Sequence, residues 1–155
     1  MGLLIIAASV AGGTLLSSQS SINGALSRKA GTYETTFFTF ITGALMLALL
    51  VLFFGTGDVM KILEAPTWQL SAVWFGVGYL FLTVLAVPKI GVIATNIATI
   101  IGQLGAGMLI DHFGWFGGLQ IPLDGERITA FILMLAALWL IYKADKKQLQ
   151  KTEHF

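Results

Sequence analysis

Five stretches of apolar sequence, each about as long as a membrane-spanning helix, dominate this chain of 155 residues. A helix that crosses a bilayer needs roughly 20 predominantly apolar residues. The five stretches run from Leu3 to Asn23, Thr35 to Phe54, Trp68 to Val87, Ile90 to Ile110 and Ile128 to Tyr142, and none contains an ionisable Asp, Glu, Lys, Arg or His. Hydrocarbon offers the backbone no hydrogen-bond partner, so the spans must be helices. The sequence therefore predicts an all-α integral membrane protein, a single five-helix bundle over residues 1–155.

The fifth predicted span is the shortest. Its fifteen residues cover only roughly 22 Å of a hydrocarbon core about 30 Å thick. Either Arg127 and Lys143 snorkel to close the gap, or the helix begins earlier, near Pro122. A charged tail follows, residues 143–155. The first stretch has no basic residues before it, so we interpret it as a permanent span and not as a cleaved signal peptide.

Composition excludes several classes of protein. Charged residues make up 11% of the chain, against roughly 25% in soluble domains. Nine basic and eight acidic residues leave no polybasic surface for nucleic acid. With no cysteine and two histidines, neither a thiolate site nor a histidine metal cluster is expected. Phosphate-loop, dinucleotide, zinc-protease and nucleophile-elbow motifs are missing from the sequence, so we expect no cofactor and no enzyme.

The distribution of basic residues predicts the orientation. With five spans, Lys61 and Arg127 fall on the same side as the N-terminus. The other seven of the nine basic residues fall on the opposite side, which includes the C-terminal tail. Short cytoplasmic loops carry the excess of Lys and Arg. The sequence therefore predicts an N-terminus outside the cell and a C-terminus in the cytoplasm.

Neutral polar residues inside the spans are the candidate binding residues. Gln19 and Asn23 lie four residues apart and share a helix face, and Asn96 and Gln103 lie on one stripe of the fourth span. An amide that faces lipid is costly, so these faces should point into the bundle or a wet cavity. They either line a substrate path or form hydrogen bonds between helices. Trp74 and Tyr79 lie deep enough to form a stacking wall for a ligand, or they serve packing alone.

A second stripe of the fourth span consists of small residues spaced by four: Ala94, Ala98, Gly102 and Ala106. Small residues at this spacing let two helices approach closely. The stripe is a candidate packing or dimer seam, although such spacing also arises by chance in helices rich in Gly and Ala.

Four polar residues mark the predicted membrane interfaces. Glu34 lies at the mouth of the second span, either as a functional acid or as one favoured by the helix dipole. Asp111 and His112 end the fourth span, where an acid opposes the dipole and needs a local partner. Arg127, on the same predicted side, is one candidate. His112 is either a group that titrates near neutral pH or part of a polar stop.

The end of the fourth span has a distinctive sequence. The run Gly102-Gln103-Leu104, followed by residues 109–114 (Leu-Ile-Asp-His-Phe-Gly), resembles the YdcZ-like five-helix proteins of the drug/metabolite transporter superfamily. Gln19 with Asn23, the Val87–Gly91 turn and Pro122 also fit this pattern. The resemblance implies that the chain is one half of a ten-helix transporter. Related four-helix exporters use a glutamate in their first span; no acid occupies that span here, so a neutral amide site or a facilitated route is expected instead.

The resemblance implies a small transporter of the bacterial cytoplasmic membrane. It would move a small solute by alternating access as a dimer, with Gln19, Asn23, Asn96, Gln103 and Trp74 around the cargo. The seven-to-two division of basic residues predicts one fixed orientation. The second half would then be a paralogous partner of opposite orientation or a second copy in a parallel homodimer. The alternative is a non-transporting accessory subunit or scaffold.

Overall fold

The computed structural model describes residues 2–118 and 120–152, and this part of the chain is helical almost throughout and contains no strand. The helices are α1 (Gly2–Ala30), α2 (Thr32–Phe54), α3 (Thr67–Leu70), α4 (Ala72–Ile90), α5 (Val92–Phe113) and α6 (Gly125–Thr152), with short 3-10 turns at Val59–Glu64 and Trp115–Gly117. Five segments are long and apolar enough to cross a membrane, with α3 and α4 together forming the third. The prediction of an all-α membrane fold is confirmed.

α1 and α6 extend beyond the apolar stretches because charged residues stabilise their ends. α1 continues through Arg28 and Lys29, whose charges favour the negative end of the helix dipole. α6 begins at Gly125, because the Asp124 carboxylate accepts a hydrogen bond from the Arg127 backbone N–H at 2.8 Å, as an N-cap residue does. The span from Gly125 to Ala144 then has 20 residues, long enough to cross the hydrocarbon. Of the predicted tail, residues 153–155 lie outside the described part.

Two of the connections between helices consist of a single glycine. Gly31 joins α1 to α2 with φ 102° and ψ 158°, and Gly91 joins α4 to α5 with φ 83° and ψ 165°. A side chain is rarely tolerated at such positive φ values, so glycine is required at both turns. The amide of each glycine closes the preceding helix by donating to the carbonyl four residues earlier, Ser27 and Val87 respectively.

The chain forms two compact units, Met1–Val92 and Ile93–Phe155. In the first unit, α1 contacts α2 and α4, and α2 contacts α4. The buried residues follow helical spacing: Ser20, Asn23, Gly24 and Ser27 on α1, Thr35 and Thr36 on α2, and Leu80, Thr83, Val84 and Val87 on α4. These positions cluster near the ends joined by Gly31 and next to Gly91. The first unit is therefore tightly packed at that end.

The opposite end of the first unit is open. Residues 2–16 of α1, 44–54 of α2 and 72–76 of α4 are all exposed. A Cβ added at Gly12 or Gly13 would have no neighbour within 4 Å. The three helices therefore share a core over only about half of their length.

In the second unit, the segment after α5 folds back on the end of that helix. The Asp111 carbonyl accepts from the amides of Gly114 and Ile121, at 3.3 and 2.8 Å. The His112 carbonyl accepts from the Gln120 side chain at 3.2 Å. Carbonyls that α5 leaves unsatisfied at its C-terminus thus obtain donors from the following loop.

Candidate functional site

A cleft of about 350 Å³ opens between three helices of the first unit, partway along each of them. We call it the α1–α2–α4 cleft. It is lined by Gln19, Thr39, Phe40, Gly43, Ala44, Leu47, Gly76, Tyr79 and Leu80. Most of these side chains are apolar, and the polar groups are one amide and two hydroxyls. Such a lining, largely apolar with a few placed polar groups, is typical of small-molecule sites.

Two glycines create the space. Gly43 on α2 and Gly76 on α4 both line the cleft, and a Cβ added at either one would meet nothing within 4 Å. Gln19 lies on α1 at the boundary between the packed and open parts of the unit, so its side chain is exposed to the cleft. Within the described residues its amide has no hydrogen-bond partner.

Asn23 lies one helical turn from Gln19 and is buried, with only 5% of its surface exposed. Its Oδ1 accepts a hydrogen bond of 3.1 Å from the hydroxyl of Thr39, which itself lines the cleft. Among the residues that the structure describes, its Nδ2 has no hydrogen-bond partner. A buried donor left without an acceptor costs about 1–3 kcal/mol, so this amide is an unusual feature for a packed helix interface.

The Thr39 hydroxyl cannot satisfy both of its neighbours fully. It has one proton, yet it lies 3.1 Å from Asn23 Oδ1 and 2.9 Å from the Thr35 carbonyl. If the proton is donated to Thr35, the Thr39 oxygen is free to accept from the Asn23 amide after that amide rotates by half a turn. Asn23 and Thr39 therefore form a hydrogen-bonded pair whose chemistry permits a second arrangement, directly behind the cleft wall.

Four other buried hydroxyls of the first unit donate to a carbonyl four residues earlier, at 2.8 to 2.9 Å. Ser20, Thr36 and Thr83 donate within their own helix, and Thr35 donates to the turn residue Gly31. Because each proton is already used locally, these side chains pack as small groups. The contact from Asn23 to Thr39 differs in that it joins α1 to α2.

The aromatic residues of α2 and α4 extend the apolar wall. Phe40 borders the cleft and also a neighbouring apolar groove, where the Tyr33 and Phe81 rings lie 5.1 Å apart. Trp74 is 77% exposed and does not line the α1–α2–α4 cleft. Trp74 therefore lies outside this cleft, and its role beside a cargo remains a prediction.

A second groove, of about 320 Å³, lies within the second unit between α5 and α6. We call it the α5–α6 groove. Its lining comprises Gln103, Leu104, Gly107, Met108 and Asp111 of α5 with Arg127, Ala130, Phe131 and Met134 of α6. Each set follows helical spacing and so forms one face of its helix. Asn96 is half-buried on α5 and does not line this groove.

Three of the four interfacial residues predicted from the sequence lie at or beside the charged end of this groove. Arg127 Nη1 lies 3.5 Å from Asp111 Oδ2, which supplies the acid at the end of α5 with a partner. His112 Nδ1 accepts from the Leu123 backbone N–H at 3.3 Å. The Phe113 ring stacks on Trp115 with centroids 5.3 Å apart, and Gly114 turns with φ 62°. The Asp-His-Phe-Gly segment thus fixes the loop that leads to α6.

The small-residue stripe of α5 changes environment along its length. Ala94 is buried and Ala98 is half-buried, whereas Gly102 and Ala106 are exposed. Close approach in the second unit occurs instead at Gly105, where an added Cβ would lie 3.2 Å from the Phe131 ring. The seam role of the stripe remains a prediction.

At the start of α2, the exposed Glu34 folds its carboxylate back over Gly31, at the positive end of the helix dipole.

Sequence reasoning missed Thr39. The spacing of Thr39, Gly43 and Leu47 on α2 is a helix face, but many faces of an apolar span contain a threonine and a glycine. Only the packing of α2 against α1 and α4 distinguishes this face from the others.

Searches of curated proteins and of solved structures each found no match to this chain. A family model described as "Putative inner membrane exporter, YdcZ" matches residues 4–140. The match includes all nine residues of the α1–α2–α4 cleft and the Asp-His-Phe-Gly segment. The chain therefore belongs to the YdcZ family of inner membrane exporters, as its sequence resemblance indicated, and is a multi-pass membrane protein of a transporter family.

Proposed function

We propose that this protein moves a small uncharged solute across the cytoplasmic membrane by alternating access, and that the α1–α2–α4 cleft holds the solute. The observation that carries the proposal is an apolar cleft between membrane-spanning helices, with the Gln19 amide and the Thr39 and Tyr79 hydroxyls on its wall. Membership of an exporter family supports transport as the activity. Groups that present neutral hydrogen-bond donors and acceptors suit a polar but uncharged cargo.

The absence of charge in the cleft limits the mechanism. No described lining residue is Asp, Glu, Lys, Arg or His. Proton-coupled transporters use ionisable residues within their spans, and ionic substrates need a countercharge. We therefore infer a facilitated route, or coupling that does not titrate a residue in this cleft.

The unequal packing of the first unit suggests how the cleft alternates. The helices are packed beside Gly31 and Gly91 and are apart at their other ends, with the cleft at the boundary. In transporters of this type, one bundle rocks against another around a fixed central site. Closing the open ends would bury the cleft from that side. The Asn23–Thr39 pair, with its two hydrogen-bond arrangements, lies where such a movement would be felt.

The assembly and orientation belong to the same proposal. One chain supplies five spans, and the second half would be a paralogous partner of opposite orientation or a second copy. In that dimer, Asn96, Gln103 and Trp74 would complete the substrate path. We expect the N-terminus outside and the C-terminus in the cytoplasm. A fluorescent protein fused to the C-terminus should fluoresce, and alkaline phosphatase fused there should be inactive; active phosphatase would contradict this orientation.

The test of transport has two steps. Uncharged metabolites are first screened for a concentration-dependent rise in the melting temperature of the detergent-solubilised protein. Solutes that raise it are then assayed for flux in proteoliposomes containing the wild type, Gln19→Ala or the matched control Gln69→Ala. Gln69 lies on α3, is exposed, and does not line the cleft.

We expect flux in the wild type and the control, and about tenfold or greater loss in Gln19→Ala, because one hydrogen bond to the cargo is removed. If the stabilising solutes cross equally fast with Gln19→Ala, the cleft is not the site. If no solute crosses, with or without a co-expressed partner, the accessory or scaffold role replaces transport.

A further inference from the structure

We propose that the α5–α6 groove binds one molecule of a zwitterionic phospholipid with a primary ammonium headgroup, of the phosphatidylethanolamine type. This inference does not depend on transport through the α1–α2–α4 cleft. The groove has charged side chains at one end and a largely apolar surface along the rest of it.

The charged end contains groups whose hydrogen-bonding capacity is unused. Arg127 lies 3.5 Å from Asp111 and 4.0 Å from Asp124, and both separations exceed the roughly 2.7–2.9 Å of a charge-assisted hydrogen bond. Within the described residues, the guanidinium makes no hydrogen bond. The side chains of Arg127 and Asp111 are 34% and 44% exposed, so both are accessible to a ligand.

The balance of charge decides which headgroup fits. Asp124 already caps α6 through the Arg127 backbone amide, so its carboxylate is partly committed. The remaining surface presents one guanidinium and the Asp111 carboxylate within a net negative cluster. A purely anionic headgroup would be repelled by the two carboxylates, and a purely cationic one would leave the guanidinium donors unused. A headgroup with both charges matches both residues. Its phosphate would bind Arg127, because a guanidinium can donate two hydrogen bonds to a phosphate, and its ammonium would bind Asp111.

The dimensions of the groove match a lipid chain in one leaflet. From Asp111 to Gln103 the helix rises roughly 12 Å, and from Arg127 to Met134 roughly 10 Å. A leaflet contributes about half of the 30 Å hydrocarbon core. Between the charged end and Gln103 the walls are apolar, with Leu104, Met108 and Phe131. Flexible methionine side chains adapt to an irregular partner such as an acyl chain.

Phosphatidylethanolamine is favoured over phosphatidylcholine for a reason of hydrogen bonding. An ammonium carries three N–H donors, whereas a trimethylated nitrogen has none. Only the former can donate to the Asp111 carboxylate. The structure therefore predicts a preference among headgroups of identical net charge, which nonspecific lipid adhesion would not produce.

The experiment measures lipid retention by the purified full-length chain. The protein is incubated in detergent with equimolar phosphatidylethanolamine, phosphatidylcholine and phosphatidylglycerol of identical acyl chains, and bound lipid is counted by native mass spectrometry. The variants are Arg127→Gln and Asp111→Asn, with Lys61→Gln and Glu64→Gln as controls on exposed residues outside the groove. Ala130→Phe fills the groove without altering a charge, so the test does not depend on a fold that tolerates loss of the ion pair.

We expect one bound phosphatidylethanolamine, retained about tenfold better than the other two lipids, in the wild type and both controls. Arg127→Gln, Asp111→Asn and Ala130→Phe should each lose that preference. Equal retention of the three lipids, or unchanged preference in Ala130→Phe, would overturn the proposal. Glycerophosphoethanolamine has the headgroup but no acyl chain. If it raised the melting temperature of the protein as much as phosphatidylethanolamine does, the proposal would also fail, because the groove would then recognise a soluble solute.

Discussion

The packing of α1 against α4 can be tested at a single atom. Gly24 is buried on α1, and a Cβ at this position would overlap Cγ1 of Val87 and lie 3.0 Å from its Cβ. Val87 is itself only 3% exposed, so it has little room to move. Small residues in membrane helices permit such close approach of two backbones. Gly24→Ala should therefore separate the helices at the packed end of the first unit.

The expected cost follows from two opposing terms. Overpacking a tight interface costs about 1–3 kcal/mol. Replacing glycine by alanine within a helix contributes about 1 kcal/mol of stability. The same substitution at Gly12 or Gly13 provides the helix term alone, because a Cβ there meets nothing within 4 Å. The difference between Gly24→Ala and Gly12→Ala thus isolates the overpacking at about 1–3 kcal/mol.

The measurement is thermal unfolding of the detergent-solubilised protein, followed by circular dichroism. On the scale for a chain of this length, Gly24→Ala should melt about 2–12 °C below Gly12→Ala. Val87→Ala removes the overlapping methyl group, so it should cost less in the Gly24→Ala background than in the wild type, as a double-mutant cycle reports. Equal melting temperatures for Gly24→Ala and Gly12→Ala would refute the close contact.

Two further predictions concern the buried Asn23 amide, whose Nδ2 is unpaired, and the His112 ring, whose Nδ1 accepts one hydrogen bond. Asn23→Leu removes a buried amide whose Nδ2 is unpaired, and the Thr39 hydroxyl that it leaves can still donate to the Thr35 carbonyl, so we expect stability to be unchanged or higher by about 1 kcal/mol while flux falls; lower stability with normal flux would contradict the functional role of the pair with Thr39. His112→Ala removes the acceptor for the Leu123 amide and should speed proteolysis of the loop 114–124, whereas His112→Asn, which keeps an acceptor, should restore resistance. Identical cleavage rates for His112→Ala and the wild type would show that this bond does not hold the loop.

Apolarity predicted the five spans because each span is decided locally, by the cost of placing its side chains and backbone in lipid. The helix ends were less predictable, since α6 begins where Asp124 caps it and not where the apolar run begins. The topology predicted from the sequence placed Asp111 and Arg127 on the same side of the membrane, so their pairing could be expected. No local rule gave the separation of 3.5 Å or the groove beside it.

The cleft was only partly foreseeable. Gln19 and Asn23 share a face of α1, but the structure gives them different environments, one exposed to the cleft and one buried behind Thr39. A helix advances 100° per residue, so residues four apart differ by roughly 40° in direction. That difference is enough to separate a cleft wall from a helix interface once neighbouring helices are in place. Helical periodicity identifies the residues that share a face. Tertiary packing then decides which of them line the cleft and which contact a neighbouring helix.

The buried positions of α1 and α4 share one register. The buried positions of α1, residues 20, 23, 24 and 27, recur sixty residues later on α4 at 80, 83, 84 and 87, and the turn glycines Gly31 and Gly91 show the same interval. The register is shared but the chemistry is not, since Asn23 corresponds to Thr83. The cleft contains a matched pair as well, Gln19 and Tyr79. Two helix–glycine–helix segments thus use one packing pattern with different polar side chains, and of the two helices only α1 brings an amide to the cleft.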